Sequence, residues 1–283
     1  MFQKIKHCFE MVKFSHSVFA LPFALASLLF ASQGFPPLRT FILIVLAMVF
    51  ARNTAMAFNR LIDANLDAQN PRTAVRHIPK GLLSKEFVLI FIVINALLFI
   101  ATASFFNPLT LWLSPVALFI LCFYSLTKRW THFTQLFLGL SLGIAPIGAW
   151  IAVKGTLEAF PLILGVAVMF WVAGFDLIYA TQDYDFDREK GLKSLVVRLG
   201  IHRALWLSRL LHLLTVILLA ALGIIYHLGL PYVATVLVIT VFLAYEQSLV
   251  RANDLSRVNA AFFNINGIIG IIFLAGMILE LFS

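Results

Sequence analysis

Asn59, Asp63 and Asp67 are spaced four residues apart, as are Asp183 and Asp187, with Asp176 and Tyr179 on the same periodicity upstream of the second pair. On a helix each set projects from one face, successive members standing about 6 Å apart along the axis. Basic residues follow both. Pro71 disfavours helix at Gln69 and Asn70 and begins a loop with Arg72, Arg76 and Lys80. Gly191, a helix terminus, precedes Lys193, Ser194, Arg198 and Arg203. Carboxylates gathered in a low-dielectric cavity repel one another unless cations neutralise them or protons are taken up. Oxygen ligands with room for water suit Mg²⁺, which binds through one or two carboxylates and a substrate's phosphates. The spacing therefore points to Mg²⁺ held between the two acidic sets and a diphosphate, with Arg72, Arg76, Lys128 or Lys193 on the remaining oxygens. No His-rich or Cys-rich ligand set competes for a softer metal, and there is no Gly-rich phosphate loop or Ser-His-Asp arrangement.

The elements that must carry these residues are membrane helices. Of 283 residues, 61% are hydrophobic and 12% charged, and the mean hydropathy of +0.97 is far from that of a water-soluble domain. Apolar runs near 15–32, 38–58, 87–106, 108–126, 133–153, 160–182, 204–227, 230–250 and 260–282 each approach the roughly 20 residues that cross a bilayer. The expected fold is all-α, a polytopic bundle of nine transmembrane helices forming one domain over residues 1–283, with motif loops at about 59–86 and 176–203. The first run follows Lys4, Lys6 and Lys13 and mimics a secretory signal, but it lacks a small-residue cleavage site and is expected to be retained. Alternating the loops between two sides puts all of the 21 Lys and Arg except Arg39 and Lys154 on the side of the amino terminus. The positive-inside rule then makes the amino terminus and both motif loops cytoplasmic and the carboxyl terminus extracytoplasmic, in a plasma or inner membrane. The net charge of +8 is accounted for by this topology and by an anion in the loops, leaving nothing for a nucleic-acid partner to explain. Cys8 and Cys122 both fall near the cytoplasmic side, where thiols stay reduced.

Further polar residues sit on these helices. Arg52 lies seven residues before Asn59 on nearly the same face, so a stripe of Arg52, Asn59, Asp63 and Asp67 must face a wet, protein-lined cavity. Exposing such ions to hydrocarbon would cost at least ~2.5 kcal/mol each. Tyr124 and Lys128 form another four-residue pair at the end of the fourth run, beside Arg129; belt tyrosines and interfacial bases are the commoner explanation of such residues, but this end lies on the side of the acidic clusters. His16 reads as a packing or headgroup-level residue and Pro22 as a kink. Gly139, Gly143 and Gly148 with Pro146 suit close helix approach or bending in the fifth run. Glu246, Arg251, Asp254 and Arg257 are expected in a loop, and with Asn264 and Asn266 they read as structural.

Asn59-x-x-x-Asp63-x-x-x-Asp67 with Arg72-Thr73 and Arg76, together with Asp176-x-x-Tyr179-Ala180-x-x-Asp183-x-x-x-Asp187-x-x-x-Gly191-x-x-Ser194, resembles the two signature motifs of the UbiA superfamily of intramembrane prenyltransferases. The resemblance spans the chain: the motifs follow the second and sixth runs, and Tyr124-x-x-x-Lys128 ends the fourth. Its branch resembles the 4-hydroxybenzoate polyprenyltransferases. Ser-His-Ser-Val-Phe-Ala-Leu-Pro-Phe-Ala at 15–24 and Asn59-Arg60 in place of Asn-Asp are similar to a sub-branch in which some members serve menaquinone synthesis by the futalosine route. The resemblance implies that Asn59, Asp63, Asp67, Asp183 and Asp187 organise two Mg²⁺ on a polyprenyl diphosphate, the four aspartates being catalytic. Arg72, Arg76, Tyr124, Lys128, Tyr179 and Lys193 would bind the diphosphate, and Arg129 or Arg52 the carboxylate of a small aromatic acid acceptor. A menaquinone precursor of the futalosine-route or dihydroxynaphthoate type is the alternative acceptor.

The rival from another class is a cation-coupled transporter, because intramembrane acids also mark ion pathways. Its acids would sit at the midplane on broken helices, whereas these sit at helix ends beside basic loops. A scaffold with a dead site would carry the same residues.

Overall fold

The computed structural model describes residues 7–8, 10–12 and 19–283. Among them, eight helices are long and apolar enough to cross a membrane, and a shorter apolar helix precedes them. In chain order they are α1 Leu21–Ser32, α2 Leu38–Ile62, α3 Lys85–Ala103, α4 Pro108–Thr127, α5 Thr134–Lys154, α6 Ala159–Ala180, α7 Ile201–Ile225, α8 Leu230–Leu249 and α9 Asn266–Leu281. These follow the nine apolar runs closely, except that α1 starts at Leu21. Pro22 occupies its first turn, where the missing N–H costs no ladder bond, so it opens the described helix and does not kink it. His16 lies outside the described residues.

Short polar signals set the other ends. Ser84 caps α3 by accepting from the Phe87 amide at 3.3 Å, and Asn107 caps α4 by accepting from the Thr110 amide at 3.0 Å. Gly155 ends α5 with φ +68°, a left-handed conformation that favours glycine. Close backbone-to-backbone packing joins α5 to α6. A Cβ on Gly139 would run into the Met169 carbonyl and one on Gly143 into the Gly165 carbonyl, so small residues allow the two backbones to touch. Gly148 meets nothing of the kind. Trp171, Phe175 and Phe160 of α6, Phe23 of α1 and Phe273 of α9 form the main buried core.

One end of the bundle is knitted together by its loops. The Arg129 guanidinium donates to the Ile62 carbonyl at 2.9 Å, and the Lys193 amide donates to the Lys128 carbonyl at 2.7 Å. The turns after α2, α4 and α6 therefore share one end, as the alternation of charge predicts. At the other end Asn107 donates to the Ile151 carbonyl of α5 at 2.7 Å. Glu246, expected in a loop, is instead fully buried within α8, where Asn266 donates to it at 2.9 Å. A π-helical turn, Ala261–Ile265, leads into α9 and places Phe262 against the ring of Tyr179, their centroids 4.2 Å apart.

Candidate active site

The helix of α2 nearly continues through the first motif. Asp63 departs from helical geometry at φ −90°, ψ 0°, yet its amide still bonds to the Asn59 carbonyl at 3.0 Å. The short helix Ala64–Asp67 then carries the Asp67 amide to the Asp63 carbonyl at 2.8 Å. The four-residue register thus survives the break, and Asn59, Asp63 and Asp67 all line one cavity. The second motif has a matching form: α6 tightens into a 3₁₀ turn at Thr181–Asp183 and resumes as Tyr184–Glu189. Asp176, Tyr179, Asp183 and Asp187 line the same cavity, while Asp185 and Glu189 are exposed.

The two motifs touch directly. Asn70 donates to Asp183 at 3.1 Å, and the Arg72 Nε donates to the same oxygen at 2.9 Å while its terminal nitrogen pairs with the other. Arg72 also donates to the Tyr179 hydroxyl at 2.8 Å. Burial works against the Arg72 cation, but the bond and charge of Asp183 and the Tyr179 hydroxyl more than offset it and raise its pKa above the ordinary value. Arg76 binds both Asp67 oxygens at 2.7 Å. Lys128 reaches Asp63 at 2.6 Å, and Asn59 donates to the same oxygen at 3.2 Å. So three acids from both motifs are held by three bases, two from the first loop and one from the end of α4.

Other predicted residues are placed less uniformly. Tyr124 and Arg52 line the cavity. Arg129 does not; it stands 3.7 Å from Asp63 with its guanidinium on the Ile62 carbonyl. Lys193 does not line it either and donates to the Trp130 carbonyl at 3.2 Å. Ser194 caps the short helix Leu195–Leu199 by accepting from the Val197 amide at 3.1 Å. Two lining residues escape the sequence reading: Asn70, which bridges the motifs, and Arg60, which donates to the Asn59 carbonyl oxygen of its side chain at 3.0 Å. Arg60 follows Asn59 directly, so a face count moves it off the stripe; nothing in the spacing points to Asn70.

The cavity has a volume of about 630 Å³. From the acidic mouth it continues between α2, α4 and α5 along a largely apolar wall, with Lys128, Tyr124, Leu121, Ala117, Ser114 and Thr110 of α4 facing it in turn. Those positions on α4 span about 27 Å of helix. Five cavity acids, Asp63, Asp67, Asp176, Asp183 and Asp187, face five bases, Arg52, Arg60, Arg72, Arg76 and Lys128. A polyanion entering such a balanced mouth brings uncompensated charge unless divalent cations accompany it. The donor set fits Mg²⁺: all oxygens, with Asp63 Oδ1 buried and without a hydrogen-bond partner, and Asp187 outside every ion pair among the described residues.

A helical membrane bundle with an anion-and-cation mouth over a long apolar cavity is the architecture of an intramembrane enzyme acting on an amphiphile. The chain belongs to the UbiA prenyltransferase family, whose profile matches residues 20–268, and it is a multi-pass membrane prenyltransferase. It is 33% identical over 254 residues to the 4-hydroxybenzoate octaprenyltransferase of Vibrio campbellii, covering 89% of this chain and 88% of that one. The enzyme of the same name from Aeromonas hydrophila is 31% identical over 250 residues, 88% of this chain and 86% of that one. Among solved structures, the apo UbiA homolog from Aeropyrum pernix K1 superposes with a TM-score of 0.85 at 33% identity, covering 94% of this chain and 98% of that one. A UbiA homolog from Archaeoglobus fulgidus bound to GPP and Mg²⁺ shares the fold at a TM-score of 0.78 and 20% identity, over 98% of this chain and all of that one.

Proposed function

We propose that this prenyltransferase moves a polyprenyl group from polyprenyl diphosphate to an aromatic acid, 4-hydroxybenzoate, in quinone biosynthesis, with the acidic mouth in the cytoplasm. The observation that carries the reading is the meeting of two acidic motifs 120 residues apart at the head of a long, largely apolar cavity. The names of the curated relatives support the acceptor, and the homolog bound to GPP and Mg²⁺ supports the donor and the ion.

In this reading Asn59, Asp63, Asp67, Asp183 and Asp187 would hold Mg²⁺, expected as two ions, which would supply positive charge to the departing diphosphate. Arg72, Arg76 and Lys128 exchange their carboxylate partners for diphosphate oxygens, and Tyr124 and Tyr179 add hydroxyl donors. The donor's C1–O bond breaks with its electron pair leaving on the diphosphate, and an allylic cation remains. The apolar wall keeps water from that cation. An electron-rich carbon of the acceptor ring forms the new C–C bond, and the ring then loses its proton. Arg52, which lines the cavity below the acids, is better placed for the acceptor carboxylate than Arg129, which is engaged outside it. Arg60 is a second cavity cation beside the first motif and is the reason to test menaquinone precursors as acceptors.

The test incubates membranes containing the protein with labelled polyprenyl diphosphate, Mg²⁺ and a panel of aromatic acids that includes menaquinone precursors. Prenylated 4-hydroxybenzoate that disappears with EDTA is the expected result. Product formed only on another acceptor overturns the acceptor assignment, and solute uptake into vesicles without any product favours a transporter.

A further inference from the structure

Away from the acidic mouth, on the outer side of the first motif loop, two histidines and a glutamate converge. The Glu10 carboxylate oxygen Oε2 stands 3.2 Å from His7 Nδ1 and 3.3 Å from His77 Nε2. One ligand atom from each of the three lies within 4.8 Å of the others, and the two rings are 5.5 Å apart. Two ligand atoms bound at about 2.0–2.1 Å to a tetrahedral ion stand roughly 3.4 Å apart, so two edges of such a polyhedron are already formed.

The backbone holds these donors in place. His7 and Glu10 lie one helical turn apart, while their neighbours Cys8, Met11 and Val12 are buried against Ala57, Leu83 and Val88. The His77 carbonyl accepts from the Leu82 amide at 2.9 Å and from the Leu83 amide at 3.3 Å, and Ile78 packs on the same apolar cluster. Two separate parts of the chain therefore present a nitrogen, nitrogen, oxygen set without needing to move far. All three side chains are partly exposed, so an ion can reach them from solvent.

We infer that His7, Glu10 and His77 bind a divalent transition metal of the zinc class, at a site separate from the oxygen-only acidic mouth. Imidazole pairs with one carboxylate suit zinc, cobalt or nickel and not Mg²⁺, which takes oxygen ligands. The ion would fasten the amino-terminal segment to the loop that carries Arg72 and Arg76.

The test uses the full-length protein in detergent, stripped with chelator and then given excess Mg²⁺ to occupy the acidic mouth. Co²⁺ is titrated by visible absorption and displaced with Zn²⁺. One equivalent with a low-coordinate Co²⁺ spectrum is expected, and His77→Ala or His7→Ala should each weaken it about tenfold or more. Zinc should raise the thermal midpoint of the wild type and not of either variant. X-ray absorption of the zinc-loaded wild type provides a check independent of any variant and should show imidazole scattering. A cobalt spectrum unchanged by both substitutions, absence of imidazole scattering, or no binding in the presence of Mg²⁺ overturns the site.

Discussion

Arg72 and a divalent cation cannot both saturate Asp183. In the proposed reading, withdrawal of the guanidinium leaves the carboxylate to the metal. Arg72→Ala is therefore expected to tighten Mg²⁺ binding in the absence of donor while raising the KM for the diphosphate about tenfold, measurable by calorimetry and steady-state kinetics. Equal loss of both affinities would remove the exchange of partners. Asp63→Ala or Asp183→Ala should lower turnover by about 10²-fold or more, with the protein still folded by circular dichroism; near-normal turnover in either would remove the metal role. At this scale the sequence made much legible. The four-residue spacing identified the acids, because a helix repeats its face every three to four residues. It could not say which base meets which acid, because Asp183 finds Asn70 and Arg72 only when two distant loops close on each other. The trio of His7, Glu10 and His77 escapes a sequence reading for the same reason: His7 and Glu10 lie one helical turn apart, but His77 is 67 residues beyond Glu10 and on a separate loop.

Helices were read more faithfully than their interruptions. Long apolar runs bounded by Ser84, Asn107 and Gly155 declare their ends through capping chemistry, and α3, α4 and α5 begin or end within a few residues of the expectation. The breaks at Asp63 and at Thr181–Asp183 were not legible, because neither contains the Pro or Gly that usually signals one. The glycines of α5 carry a test at this scale. Gly139→Ala puts a Cβ onto the Met169 carbonyl, which cannot swing aside as a side chain would, so a loss of about 1–3 kcal/mol is expected from the overpacked contact. Gly148→Ala meets open space and should be neutral or slightly stabilising. Thermal unfolding in detergent compares them, and equal midpoints would contradict the close approach of α5 and α6.

For the whole molecule, charge alternation anticipated that the turns after α2, α4 and α6 share one end, and the loop contacts bear this out. Which leaflet that end faces is a matter of the proposed orientation, and chemical labelling decides it. In a background without Cys8 and Cys122, Thr156→Cys should react with a membrane-impermeant maleimide on intact cells and Arg188→Cys only after lysis, both positions being exposed. The reverse pattern would invert the orientation. The polar head of the cavity is legible in the stripe of Arg52, Asn59, Asp63 and Asp67, but its depth is not, since interchangeable apolar side chains of α2, α4 and α5 form the wall and only their relative helix positions hollow it out.

If the isoprenoid tail lies along that wall, as the proposed function has it, the wall would set the length that fits. Because α4 offers a small side chain to the cavity at Ala117, well below Lys128, a bulky replacement there would act as a stop against the tail of a long donor. With a mixture of donors of graded length, Ala117→Phe is expected to shift the products toward shorter chains by mass spectrometry, leaving the head-end chemistry intact. An unchanged distribution would mean that the tail leaves the bundle by another side.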